Sequence, residues 1–262
     1  MGCKDNKKLE KERVGLENIN NSGSKMKIIC YKKATDIDVL FIDSGYIRYN
    51  CFYSSFKNGS LTSPYDKNKY GGYFGEGEYK KSENKKLTWH YTTWFNMLRR
   101  VHDEKEQEKV RNRTYKDTIL YESWYNFQNF AKWLDENYYE VKNETMCLDK
   151  DILVKGNKIY SPETCIFVPE KINILFTKRK ECRGDNAIGV YYDKKRNCFT
   201  AHCNFGKGKT DYLGSFNTEK EAFLAYKNAK EKYIKQIANE YKDLIPKKLY
   251  DALYKYEVEI SD

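Results

Sequence analysis

The last third of this 262-residue chain most limits what it can fold into. Three short β-forming runs, Gly189 to Tyr192, Cys198 to Asn204 and Thr210 to Gly214, are separated by turn residues. Thr218-Glu-Lys-Glu221 follows, the spacing at which a threonine hydroxyl and a glutamate side chain satisfy the first free amides of a helix. Behind that box Ala222, Tyr226, Ala229, Tyr233 and Ile237 recur along one helical face. Three antiparallel strands packed on one amphipathic helix make an α+β layer. Pro246 suits the first turn of a short final helix.

Upstream the periodicity changes twice. Trp89, Tyr91, Trp94, Phe95, Leu98 and Val101 fall at three-to-four spacing, as do Trp124, Phe127, Phe130, Leu134 and Tyr138. All four tryptophans lie in these two helical segments, so residues 87 to 140 read as a helical unit with an aromatic core. Glu144 to Leu153 reads as a strand, Gly156-Asn157 as a tight turn, Thr164 to Val168 as a second strand, and Lys171 to Phe176 as the start of a helix. That is a compact ββα unit. From Met26 to Phe56 short apolar runs alternate with turns, which predicts a small antiparallel sheet or barrel ending near residue 83. The stretch Gly71-Gly-Tyr-Phe-Gly-Glu-Gly77 lacks the strand-to-helix setting of a phosphate loop and reads as an ordered turn.

The expected layout is therefore α+β: a disordered charged tail over 1–12, a β-rich domain over 13–83, a helical and ββα domain over 84–177, and a sheet-on-helix domain over 178–262. Composition supports folding rather than disorder, since aromatics reach 16%. No run approaches the ~20 apolar residues of a membrane span. The N-terminus lacks the apolar core of a secretory signal, so a cytoplasmic protein is expected. Eight scattered cysteines without a CxxC pair, and only three histidines, argue against a zinc site and for reduced, buried thiols.

Charge points to a partner. There are 48 Lys and Arg against 38 Asp and Glu, a net +10. Between Lys178 and Phe216 nine basic residues face four acids, so half of the excess sits in this one segment. Nucleic-acid phosphate is the natural complement.

The segment from Ile188 to Ala229 resembles the DNA-binding domain of the plant Apetala-two/ERF type. The resemblance rests on Gly189-Val190, Phe199, Ala201, Tyr212-Leu213-Gly214-Ser215-Phe216, Thr218, Glu221-Ala222 and Ala225-Tyr226. It implies a three-stranded sheet lying in the major groove, with the helix behind it. A β-ribbon fits a groove about 12 Å wide and can read base edges there. By position, the residues implied to contact DNA are Tyr191, Lys194, Lys195, Arg196, His202, Asn204, Lys207, Lys209 and Tyr212. The plant family places arginines where this chain has Tyr191 and Asn204, which implies a different target sequence.

The middle of the chain resembles HNH homing-endonuclease-like proteins of phages and mobile elements. The matching residues are Thr93 to Arg100, Glu122 to Phe130, Leu148 to Ile152 and Tyr160 to Pro169. Such proteins often carry an Apetala-type domain as an appendage. In active members a metal-binding Asp or Asn ends the first strand and a histidine general base follows it. A divalent ion then stabilises charge on the scissile phosphate. Here those two positions are Asp149 and Lys150, the middle Asn falls at Thr164, and the last metal position falls at Asn173. The resemblance thus implies Asp149 and Asn173 as metal ligands, with Mg²⁺ as cofactor if the nuclease is active. Lys150 would stand in for the base, and a lysine near pKa 10.4 in water is a poor base at neutral pH.

The expectation is a sequence-specific binder of double-stranded DNA with a degenerate nuclease site, acting in a bacterial or phage-infected cell. The alternative is an active metal-dependent endonuclease that nicks or cuts. A third reading is a module that engages a host protein through its aromatic surface.

Overall fold

The structure, a computed structural model, describes residues 3–109, 115–176, 186–206, 210–260 and 262, with side chains from Lys7 onward. It is mixed α and β, with several small sheets. The chain divides into two compact units, 1–135 and 136–262.

The first unit opens with helix α1 (Cys3–Arg13), where the charged, aperiodic tail was expected to be disordered. Its last turn anchors it. The Arg13 guanidinium donates to the Tyr31 hydroxyl at 2.7 Å and lies 4.0 Å over the Tyr53 ring, and Leu9 packs on the sheet core. Strands β1 (Glu17–Ile19), β2 (Lys25–Lys33), β3 (Asp36–Phe41) and β4 (Tyr46–Cys51) form an antiparallel meander in chain order. Alternation along β2 and β3 buries Met26, Ile28, Ile37, Val39 and Phe41 on one face, which helix α2 (Tyr53–Lys57) helps to cover through Phe56.

After a short hairpin, β5 (Ser82–Glu83) with β6 (Lys86–Leu87), Thr88 caps helix α3 (Trp89–His102) by accepting from the Tyr91 amide. Helix α4 (Glu104–Gln107), strand β7 (Ile119–Leu120), a 3₁₀ turn over 122–125 and helix α5 (Phe127–Asn137) follow. The two aromatic stripes meet as expected. Trp94 and Trp124 are each 1% exposed, and the Trp94 indole donates to the Trp124 carbonyl at 2.8 Å. Replacing either ring with alanine should cost about 3–5 kcal/mol. The glycine-rich stretch is an ordered turn laid against this core. A Cβ on Gly72 would stand 2.5 Å from Leu98 and 2.7 Å from Trp94.

In the second unit β8 (Met146–Asp149) pairs antiparallel with β10 (Ile166–Pro169), with the short strand β9 (Ile159–Tyr160) between them in sequence. Helix α6 (Glu170–Asn173) and a 3₁₀ turn over 174–176 follow directly. The first strand stops earlier than the expected Leu153. Asp149 Oδ1 accepts from the amides of Asp151 and Ile152, at 2.9 and 2.7 Å, and turns the chain out of the sheet.

Strands β11 (Val190–Asp193), β12 (Cys198–Asn204) and β13 (Thr210–Phe216) form the expected three-stranded antiparallel sheet. Helix α7 (Glu219–Glu240) starts with both halves of the capping box in place, and Pro246 stands just before helix α8 (Lys247–Lys255). At about 33 Å, α7 is long enough to serve two layers. Ala222 packs with Val190 and Ala201 under the sheet. Ile234 and Ile237 pack with Val168, Ile172 and Leu249, joining the β8–β10–α6 segment to α8.

The six described cysteines with resolved side chains are free thiols, and burial raises those of Cys165 and Cys203 to about 12 and about 11. No helix among the described residues is long and apolar enough to cross a membrane.

Candidate nucleic-acid interface

Alternation, broken once by a bulge, divides the C-terminal sheet into two chemistries. Val190, Ala201 and Cys203 turn inward and are each 0% exposed. Tyr226 on α7 closes against the sheet edge, which explains Gly189. That residue has φ +75°, and a Cβ there would stand 2.1 Å from the Tyr226 ring. Between the inward residues, Tyr191, Thr200, His202, Tyr212 and Ser215 turn to the other face.

Three of them form a continuous ring row, one from each strand. The Tyr191 and His202 rings are 5.4 Å apart and edge-on, and the His202 and Tyr212 rings are also 5.4 Å apart. The row is fixed by local bonds. Thr200 Oγ1 lies 3.2 Å from His202 Nε2 and donates to the Tyr191 carbonyl, and the Tyr212 hydroxyl lies 2.7 Å from Ser215 Oγ. A bulge between Ala201 and His202 realigns Tyr212 opposite His202. Tyr212 is 55% exposed and Tyr191 47%, so these tyrosines are surface groups, whereas Phe199 packs inward. Sequence reasoning passed over Thr200 and Ser215. The period of two along β12 would have found Thr200, whereas Ser215 lies an odd step from Tyr212 and reaches the same face only through the register shift.

The β11–β12 hairpin presents cations at one end of this face. Asp193 Oδ1 accepts from the amides of Lys195 and Arg196, and Asn197 at φ +52° closes the turn with help from the Tyr192 hydroxyl. The backbone thus holds Lys194, Lys195 and Arg196 exposed. Arg196 Nε lies 3.7 Å from Asp193, while Lys194 and Lys195 make no ion pair among the described residues. At the other end of β12, exposed Asn204 accepts from the Gly206 amide through Oδ1. Its carbonyl takes the ammonium of Lys230 at 3.1 Å, a lysine of α7 whose pKa is lowered by burial. Lys207 and Lys209 lie outside the described residues, as do Lys178, Arg179, Lys180 and Arg183.

The Asp149 segment is arranged differently. Desolvation, then the neighbouring Asp151 charge, raises the Asp149 carboxyl to about 6. Lys150 is 4% exposed and donates to Asp151 Oδ2 and the Asn157 carbonyl, each at 3.1 Å. Asn157 in turn donates from its amide to the Lys150 carbonyl at 2.6 Å. Thr164 Oγ1 donates to the Ile159 carbonyl. Asn173 is half-buried on α6, which packs against β8. Among the described residues no group of three His, Cys, Asp or Glu side chains stands together. With one Asp149 oxygen committed to two amides and a fixed ammonium on the next residue, these positions do not fit a divalent ion; they close their own loop.

The other histidines are also committed. His90 Nε2 lies 2.7 Å from Asp135, and His102, whose pKa burial lowers, contacts the Tyr125 hydroxyl. Comparison of the chain with protein-family profiles, curated proteins and solved structures finds no match.

Proposed function

We propose that this chain is a sequence-specific double-stranded DNA-binding protein of the phage or mobile-element type, with an Apetala-two/ERF-like reading sheet and an HNH-like but catalytically silent middle. The supporting observation is the row Tyr191, His202 and Tyr212 across the outer face of the β11–β13 sheet, bordered by Lys194, Lys195 and Arg196. Cations at the rim of a sheet suit phosphate, while hydroxyls and a ring nitrogen at its centre suit base edges.

In this reading Lys194, Lys195 and Arg196 set the position on the backbone. Tyr191, His202, Asn204 and Tyr212 read the groove, and Lys207 and Lys209 extend the phosphate contact. Asp149, Lys150 and Asn173 contribute no hydrolysis.

Selection of bound duplexes from a random library tests the proposal. Recovery of a shared motif with uncut ends supports it. Absence of enrichment, with no duplex affinity at low salt, overturns it. Supercoiled plasmid incubated with Mg²⁺ or Mn²⁺ tests the catalytic half. Nicking that Asp149→Ala abolishes would replace the binder with the endonuclease.

A further inference from the structure

We propose a second ligand site, in the first unit: the cavity between residues 66–74 and α3 binds a single nucleotide, with the base on an aromatic wall and the phosphate at a lysine rim. The cavity encloses about 420 Å³, within the size range of small-ligand pockets. This site stands apart from the C-terminal sheet and does not rest on the function proposed for it.

The wall is aromatic. Half-buried Tyr73, Phe74 and Tyr91 line it, backed by Trp94, which is buried and whose indole N–H is bonded to the Trp124 carbonyl. Gly72 lets the chain lie against that indole, since any Cβ would strike it. Tyr91 is held by the Trp94, Phe95 and Phe127 rings, with centroids 5.5 to 6.0 Å away. A planar base stacked there needs little rearrangement of the wall.

The rim is cationic. Lys67 and Lys81 are exposed, and neither makes an ion pair among the described residues. Lys81 Nζ stands over the Tyr91 ring, 5.1 Å from its centroid, so a base stacked on that face displaces this cation toward the phosphate. Of the other polar residues in the lining, Ser22, Asn68 and Asp66, only Asp66 carries a charge. Its oxygens accept from Asn20 Nδ2, Ser24 Oγ and the Ser63 amide, none of them cationic. That uncancelled carboxylate disfavours a bare anion, so the lysines alone do not make a phosphate site. A ligand needs the plane and the charge together.

Titration of the full chain with thymidine monophosphate, thymidine, inorganic phosphate and a short oligothymidylate, followed by tryptophan fluorescence and calorimetry, tests this. The monophosphate should bind saturably, with thymidine and phosphate each at least about tenfold weaker. Lys67→Ala with Lys81→Ala should weaken the monophosphate by roughly tenfold, leave thymidine affinity nearly unchanged and preserve the melting temperature. An oligothymidylate that binds more tightly than the monophosphate identifies an unpaired nucleotide within a strand as the ligand. Equal affinity identifies the free mononucleotide. Absence of saturable binding by both, phosphate binding as tight as the monophosphate, or indifference to the double substitution would each overturn the proposal. Duplex affinity measured in parallel on the Lys194, Lys195 and Arg196 variant keeps failure here distinct from failure of the sheet.

Discussion

Two segments of the second unit carry similar groups and use them in opposite ways. Around Asp149 the polar groups are spent within their own loop: the Asp149 carboxylate accepts from the Asp151 and Ile152 amides, Lys150 reaches Asp151 and the Asn157 carbonyl, and Asn157 donates to the Lys150 carbonyl. On the β11–β13 sheet, lysines, an arginine and three aromatic rings stand toward solvent, with their backbone supports satisfied beneath them. A buried charge is tolerated only when paired, and pairing removes it from further chemistry. An exposed cation costs little to keep and stays available to a partner. Residue type alone does not separate a site from a structural loop. The number of bonds already made does.

The largest test of that contrast removes one side of it. Gly189→Ala puts a methyl group into the Tyr226 ring at a positive φ. It should destabilise the second unit by roughly 3–4 kcal/mol, read from its thermal transition, and duplex affinity should fall with the fold. Replacing Lys194, Lys195 and Arg196 by alanine should instead leave the transition in place and weaken all duplexes roughly 30- to 100-fold at low salt, measured by anisotropy.

Asp149→Asn probes the closed segment. The raised carboxyl means that the folded chain binds this proton more tightly than the unfolded chain between about pH 4 and pH 6. Stability from this group is therefore greatest below that window and falls as the pH rises through about 6. The asparagine variant should be more stable than the parent by on the order of 1–2 kcal/mol at pH 7.5, and its pH profile should be flatter in urea titrations. A loss of stability at pH 7.5 would show the carboxylate to be compensated. The smallest effect belongs to Asn204→Ala, which should relax preference at one base pair by about 1 kcal/mol in competition assays.

Much of the second unit was legible because its signals are local. The Thr218–Glu221 spacing marks the start of α7, the period of two marks β12, and Pro246 marks α8. The end of β8 was not legible, because Asp149 turns the chain through bonds that depend on its own rotamer. Nor was helix α1, whose order comes from Arg13 reaching Tyr31 and Tyr53, 18 and 40 residues further along. The double role of α7 was hidden too, since periodicity locates a helical face but not the layers it will cover. At the sheet, Tyr191, His202 and Tyr212 share one face. Their assembly into a single ring row required the bulge at Ala201–His202, which the sequence does not announce.

The three histidines allow a direct test, because each reports a different environment: His90 beside Asp135, His102 beside Tyr125, and His202 in the ring row of the sheet. Their ring proton signals can be followed by NMR while a selected duplex is added to the full chain. The signal of His202 should shift and saturate with the duplex, while those of His90 and His102 hold still. A His202 signal that stays in place when the duplex is fully bound would contradict the assignment of this sheet as the reading surface.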